Sequence, residues 1–190
     1  MFLGRGCGRA MKCPLVPLAG LVLAAFIGGG CEADDGSVTV ERLGEFEVAV
    51  RAGWRIALPS ATAPQDQDIN PVLTVGPEGS TSPEGGLGVF RNPDGTTLEV
   101  SEASWRARLE DAELGSSTTR RGDGRVVSEF EGSRTDRVSG ETRYVLVGVI
   151  MPEGPSPTTW VVYCDARVRD FLRNCREFID GFVPLPGAET

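Results

Sequence analysis

The residue with the most specific chemistry is Cys31, which directly follows three glycines at positions 28–30. Upstream, an uncharged apolar run at residues 15–27 is preceded by three basic residues and no acid. A basic start, a short apolar stretch and small residues before a cleavage point form a secretory signal. A cysteine after the small residues adds lipid anchoring at that residue, with fatty acyl groups such as palmitate. We therefore predict a lipoprotein signal peptide at residues 1–30 and a lipid anchor at Cys31.

This signal departs from the usual pattern at one position. The segment before a lipid-carrying cysteine usually resembles Leu-Ala-Gly, whereas Gly28 stands here in place of the large aliphatic residue. One alternative is an ordinary cleaved signal that happens to precede a cysteine. Another is a retained membrane anchor, which the apolar run of about 13 residues disfavours because crossing a bilayer takes about 20. Met11 is an alternative start, since Met11 and Lys12 before the run complete a signal by themselves.

Two further cysteines, Cys164 and Cys175, remain once cleavage removes Cys7 and Cys13 and lipid occupies Cys31. An exported chain reaches a compartment where disulfides persist, so we predict a Cys164–Cys175 bridge. Two buried thiols are the alternative. We expect no metal site of the zinc type, because two cysteines without any histidine do not supply four ligands.

The chain lacks the side chains of the common nucleophilic mechanisms. Histidine is absent, and the single lysine, Lys12, belongs to the predicted signal. A Ser-His-Asp triad, a Cys-His pair and a lysine base are therefore excluded. Paired carboxylates are left, such as Glu129 and Glu131 on one strand face, although alternate acids are usually the solvated side of a strand. We predict that the protein is not an enzyme, with a carboxylate-dependent hydrolase as the alternative.

Two motifs resemble cofactor sites only in part. Asp66, Asp68 and Asn70 have the spacing that begins a calcium loop, but Pro71 stands where glycine is expected. The glycines of residues 85–88 lack the third glycine of a dinucleotide-binding loop and its strand-turn-helix context. We interpret the first motif as a solvated acidic loop and the second as a flexible turn, and expect no cofactor.

Charge also limits the partners. Residues 31–190 carry 16 basic and 27 acidic side chains, a net charge of about −11. Nucleic-acid binding needs clustered positive charge to neutralise phosphates, whereas these arginines are interleaved with acids. We therefore expect no nucleic-acid partner and a membrane association that depends on the lipid anchor.

The mature length suits one domain. About 160 residues are enough to bury roughly 70% of the unfolded surface around a single core. We predict a tether at residues 31–37, a single α+β domain at residues 38–185 and a C-terminal tail at residues 186–190. The tether would span about 25 Å when fully extended, which keeps the domain close to the membrane.

Half-buried strands are predicted where apolar and polar residues alternate. Their positions are residues 38–40, 46–50, 54–58, 117–121, 125–131, 141–151 and 158–164. Gly53 marks a hairpin or tight bend. Residues 144–151 have no polar side chain, which predicts a central strand covered on both faces. Residues 59–95 are rich in proline and glycine and predict long loops around two short strands.

Two amphipathic helices are predicted. The first spans residues 101–114, with Ser101 as its cap and Gly115 at its end. The second carries an apolar stripe and packs on the sheet; its stripe contains Phe171, Cys175, Phe178 and Phe182. Core packing is expected for the three tryptophans, Trp54, Trp105 and Trp160, and an exposed one near residues 59–95 would mark a ligand groove.

The order of these elements resembles a known family. The Gly53-Trp54 pair after a strand, the helix, the antiparallel meander and a last helix ending Phe178-Ile179-Asp180-Gly181-Phe182 resemble the PsbP-like fold. This fold occurs in extrinsic photosystem subunits and in LpqN-type actinobacterial lipoproteins. The resemblance covers residues 38–183 and implies an antiparallel sheet between helices, an α/β/α sandwich. It implies a non-enzymatic scaffold or binding domain and supplies no catalytic residues.

These observations predict a membrane-tethered domain on the extracytoplasmic side of a bacterial membrane. We expect it to bind a protein or a small ligand through its loop-rich side, residues 59–95. A purely structural role in the cell envelope is a further alternative.

Overall fold

A computed structural model describes residues 37–58, 71–77, 84–154 and 158–185. The chain forms these elements there, in order: β1 (Val38–Leu43), β2 (Phe46–Arg51), β3 (Trp54–Ala57), β4 (Leu73–Pro77), β5 (Gly85–Arg91), α1 (Leu98–Arg108), β6 (Ala112–Leu114), β7 (Thr118–Gly122), β8 (Arg125–Thr135), β9 (Thr142–Pro152), β10 (Trp160–Ala166), α2 (Phe171–Gly181) and β11 (Val183–Pro184). The predicted signal peptide, Cys31, the acidic loop of residues 66–70 and the C-terminal tail lie outside the described residues.

An eight-stranded antiparallel sheet forms the centre of the fold. Its strand order is β3-β4-β5-β10-β9-β8-β6, and β7 pairs with β8 beside β6. Strand β9 is buried on both faces: Val147 belongs to the apolar core under α1, and Leu146 to the core under α2. The prediction of a doubly covered central strand is therefore confirmed.

The two helices cover opposite faces of this sheet. One core cluster joins α1 to the alternate residues of β8, β9 and β10, and the other joins α2 and β2 to the opposite face. This arrangement confirms the predicted α+β class, an antiparallel sheet packed between helices. A two-residue turn closes the β7–β8 hairpin, where Asp123 has φ 52° and Gly124 has φ 69°. Positive φ at both central residues defines the type I′ turn, whose twist suits a hairpin.

A second, three-stranded sheet has the order β1-β2-β11. Gly53, with φ 79°, provides the predicted bend. It does not form a β2–β3 hairpin, because β2 pairs with β1 and β11 whereas β3 pairs with β4 in the large sheet. Strand β1 also differs from the expected half-buried pattern, since Val38 and Val40 are 57% and 66% exposed.

Helix α1 lies about three residues before its predicted position. Thr97, not Ser101, caps its N-terminus by accepting a hydrogen bond from the Val100 amide, and Leu109 ends it. Ser101 is buried and accepts a hydrogen bond from Asn92. The predicted last turn is strand β6 instead, because pairing with β8 satisfies its backbone groups.

Helix α2 follows its predicted stripe. Phe171, Cys175 and Phe178 are buried. Phe182 follows the helix in extended backbone and stacks on Phe46 with 4.9 Å between ring centroids. The structure joins Cys175 to Cys164 of β10 in a disulfide, with both side chains fully buried. This bridge links α2 covalently to the large sheet.

Candidate functional site

A row of three aromatic rings lies on the α1 side of the large sheet. Trp105 of α1 contacts Phe90 of β5 edge-on, with 4.8 Å between ring centroids. On its other side Trp105 stacks on Tyr163 of β10, at 5.3 Å and an interplanar angle of 27°. Offset and edge-to-face pairs are favoured ring geometries, so this row fixes the position of α1 over the sheet.

A groove of about 240 Å³ runs between α1 and β5 beside this row. Its apolar lining includes Phe90, Trp105 and the exposed Val100. Ser104 and Arg108 contribute polar groups along the helix. A ligand with an apolar ring and an anionic or hydrogen-bonding group would fit this lining.

A second cleft, of about 390 Å³, opens beyond the C-terminal end of α1. Arg108 lines both this cleft and the groove, so the two meet at that side chain. Arg134 and Arg137 also line the cleft, together with Asp111 and Asp136. We call these two neighbouring depressions, one partly apolar and one charged, the α1 groove.

Asp165 connects three strands of the sheet beside these depressions. Its carboxylate accepts from Arg134 at 2.6 Å and from Arg143 at 2.5 Å. It also accepts a hydrogen bond from the Tyr163 hydroxyl at 3.0 Å. Burial raises the pKa of Tyr163 and the charge of Asp165 raises it further, so the hydroxyl stays protonated and keeps donating.

Glu102 holds the opposite flank of α1. Its carboxylate accepts from Arg106 Nε at 2.9 Å, from Ser128 Oγ of β8 at 2.8 Å and from the Ser117 hydroxyl. Burial alone would raise the pKa of Glu102, but these hydrogen bonds together lower it. The carboxylate is therefore ionised at neutral pH and serves to attach the helix to the sheet.

The carboxylates that the sequence offered for acid-base chemistry are paired with arginines. Glu129 and Glu131 line an open cleft of about 450 Å³ on the α2 side. Arg176 of α2 reaches both, Arg120 pairs with Glu129, and Arg169 pairs with Glu131. Burial would raise the pKa of Glu131, but hydrogen bonds from Arg169 and Arg176 lower it. This arrangement keeps an acid ionised and does not suit a general acid.

The sequence located this surface only in part. The predicted loop-rich side, residues 59–95, supplies Phe90, Asn92 and Pro93 to the groove, while residues 59–70 and 78–83 lie outside the description. Trp105 and Trp160 are buried as predicted, and Trp54 is partly exposed.

Sequence reasoning missed the contribution of α1 itself and of Arg108 and Arg134. The spacing of Trp105 and Arg108, one turn apart, was the available signal for a shared helix edge. Among the residues that the structure describes, no three potential metal ligands from His, Cys, Asp or Glu lie together. No helix in the described ranges has the length and apolarity to span a membrane.

No protein-family model matches the chain, and no curated protein matches it either. The fold is similar to that in the crystal structure of LpqN, which is involved in cell envelope biogenesis of Mycobacterium tuberculosis. The similarity has a TM-score of 0.53 and covers 82% of this chain and 88% of that one, at 15% sequence identity. At this identity it concerns the fold, and it confirms the expected LpqN-type architecture for this chain.

Proposed function

We propose that the chain is a lipid-anchored protein on the extracytoplasmic side of a bacterial membrane, where it binds a protein or small ligand without catalysing a reaction. The signal predicted at residues 1–30 and the cysteine directly after it support the location. The buried Cys164–Cys175 bridge suits an oxidising compartment. The likeness to LpqN, an envelope biogenesis protein, agrees with this assignment.

The observation that carries the binding role is the α1 groove. It combines the rings of Phe90 and Trp105 with the side chain of Arg108, which lines both of its depressions. Binding sites are typically concave and apolar with a few well-placed polar groups. The contacts of Asp165 with Arg134 and of Glu102 with Ser128 join the elements around this surface.

The alternatives have less support from the described residues. A carboxylate-dependent hydrolase would need one protonated and one ionised acid, and Arg176 contacts both Glu129 and Glu131. A purely structural envelope role would not need a groove, so we rank it below ligand binding.

The anchor is tested by expressing the full chain in a lipoprotein-processing bacterium and measuring its intact mass from membranes. We expect a mature chain beginning at Cys31 and carrying acyl groups. Cys31→Ala should leave the membrane fraction, whereas Cys7→Ala, inside the predicted signal, should not change it. The anchor would be contradicted if the Cys31→Ala chain stayed in the membrane fraction and had the same mass as an unacylated wild-type chain.

The groove is tested with 1-anilinonaphthalene-8-sulfonate, a probe that combines aromatic rings with an anion. We expect saturable binding to the native chain. Ser104→Trp fills the groove and should weaken binding about tenfold or more. Ala103→Trp adds the same ring at an exposed neighbouring position of α1 and should leave binding unchanged. Equal binding by the two variants, or no saturable binding to the native chain, would reject the groove as a binding site.

A further inference from the structure

One face of the small sheet, bordered by α2 at Ala49 and Arg51, carries a group of exposed valines. Val38 and Val40 lie on β1, opposite Arg51 and Ala49 of β2, and Val183 of β11 lies opposite Glu47. Directly paired residues in antiparallel strands share a face. The opposite face of β2 carries Phe46, Val48 and Val50, which are buried in the core. We call Val38, Val40 and Val183 the valine face.

This face is unusual for the protein. Seven large hydrophobic side chains are exposed among the described residues, and three of them lie here. Single exposed apolar residues are ordinary, but a group on one sheet face indicates a contact surface. Val38 also borders a shallow depression of about 40 Å³ with Trp54 and Phe178.

The position of this face in the chain identifies its occupant. Val38 is the seventh residue after Cys31, the proposed lipid anchor. Seven residues span at most about 25 Å, so an anchored chain keeps β1 within reach of the lipid surface. The short tether does not hold α1 near the lipid, because α1 covers the face of the large sheet opposite to α2 and β2.

The charges beside the valine face are balanced. Arg42 pairs with Glu47 at 3.9 Å, and Arg51 donates to Asn174 at 2.9 Å next to Glu177. Residues 31–190 as a whole carry a net charge of about −11, which anionic lipids repel. A face with equal numbers of arginines and acids approaches such a surface with less repulsion.

We propose that the valine face rests on the lipid surface that holds Cys31, so that the α1 groove faces away from the membrane. The inference rests on the proposed lipid anchor. Apolar side chains that enter the membrane interface lower their free energy by leaving water. The anchor raises the local concentration of the domain at the membrane, so a small apolar contact is sufficient to hold the domain in one orientation.

Site-specific quenching tests this orientation. A fluorophore is attached at Val40→Cys, or at Val100→Cys on the exposed side of α1 as the matched control; the two valines are 66% and 60% exposed. The acylated full-length chain is reconstituted in vesicles of phosphatidylethanolamine and phosphatidylglycerol with brominated acyl chains. We expect quenching at residue 40 to exceed that at residue 100 at least about threefold. Near-ultraviolet circular dichroism confirms that both variants are folded.

The outcomes separate the anchor from the orientation. A chain that does not float with the vesicles contradicts the lipid anchor and the orientation together. A chain that floats with equal bromine quenching at both positions keeps the anchor and overturns the orientation. Protection of residue 40 from aqueous iodide without bromine quenching also overturns it, because a second copy or another protein then covers the valine face.

Discussion

Gly148 of β9 lies directly beneath Ile179 of α2, so that a Cβ atom at residue 148 would lie 2.7 Å from Ile179 Cδ1 and 3.0 Å from its Cγ1. Both residues belong to the tightly packed contact between helix and sheet, where Ile179 is fully buried. The glycine within an otherwise apolar strand is therefore a space requirement of the helix above it.

Gly148→Ala should destabilise the protein by about 1–3 kcal/mol, because overpacking a dense core shifts the side chains around it. Urea unfolding followed by tryptophan fluorescence measures the change. Gly122→Ala is the control, since nothing lies within 4 Å of a Cβ atom there. Ile179→Val removes the clashing Cδ1 atom, so the double variant should cost less than the sum of the two single changes. Additive costs would disprove the steric explanation.

The Cys164–Cys175 bridge should resist alkylation in the native protein until a reductant is added. Its sequence separation is 11 residues, and closing such a loop stabilises a fold by about 3 kcal/mol in the chain-entropy model. Cys164→Ala with Cys175→Ala should lower the unfolding free energy by at least a similar amount. Mass spectrometry that finds both cysteines alkylated without reduction would show two thiols instead.

Glu102→Gln should destabilise the protein by about 1–3 kcal/mol at neutral pH, since a charged acceptor for Arg106, Ser117 and Ser128 is lost. The folded pKa of Glu102 is lowered from 4.5, so its contribution is complete above that value and is lost as pH falls through the folded pKa. The difference between wild type and variant should therefore shrink below about pH 4.5. Glu110→Gln, at an exposed position just after α1, should change stability by less than about 0.5 kcal/mol. A difference independent of pH would contradict a role for the Glu102 charge.

Arg176→Ala should cost about 0.5–1 kcal/mol, because half-exposed ion pairs contribute little individually. The cost should decrease in molar salt, which screens the contacts with Glu129 and Glu131. Arg173→Ala removes a neighbouring exposed arginine of α2 and provides the matched control. Equal losses for both variants at low and high salt would place the effect in helix propensity instead of the ion pairs. The measurement is urea unfolding in low and high sodium chloride.

Local patterns predicted the elements that can be recognised from the order of apolar and polar residues within a single segment. The apolar run of β9 and the stripe of α2 are such elements, and the facing positions of Cys164 and Cys175 followed from them. The start of α1 was misplaced because Thr97 and Ser101 are both competent caps. The choice between them depends on Asn92, which donates to the buried Ser101 hydroxyl from outside the helix.

The candidate site depends on contacts between distant segments. Phe90, Trp105 and Tyr163 belong to β5, α1 and β10, and their ring contacts form only when the sheet assembles. The same holds for Arg134 and Asp165, which meet across β8 and β10. No periodic pattern reports such distances, so the sequence indicated tryptophans in the core but not the groove beside one of them.

Strand β2 binds both the first and the last strand of the described fold, β1 and β11. For a chain held at its N-terminus, this arrangement has a mechanical consequence. A pull on residue 37 acts first on the β1–β2 pairing. Its six residue pairs would separate one after another, beginning with the pair nearest residue 37. These pairs would give way before the eight-stranded sheet or the disulfide does, so β1 could lengthen under tension while the fold around the α1 groove stays intact.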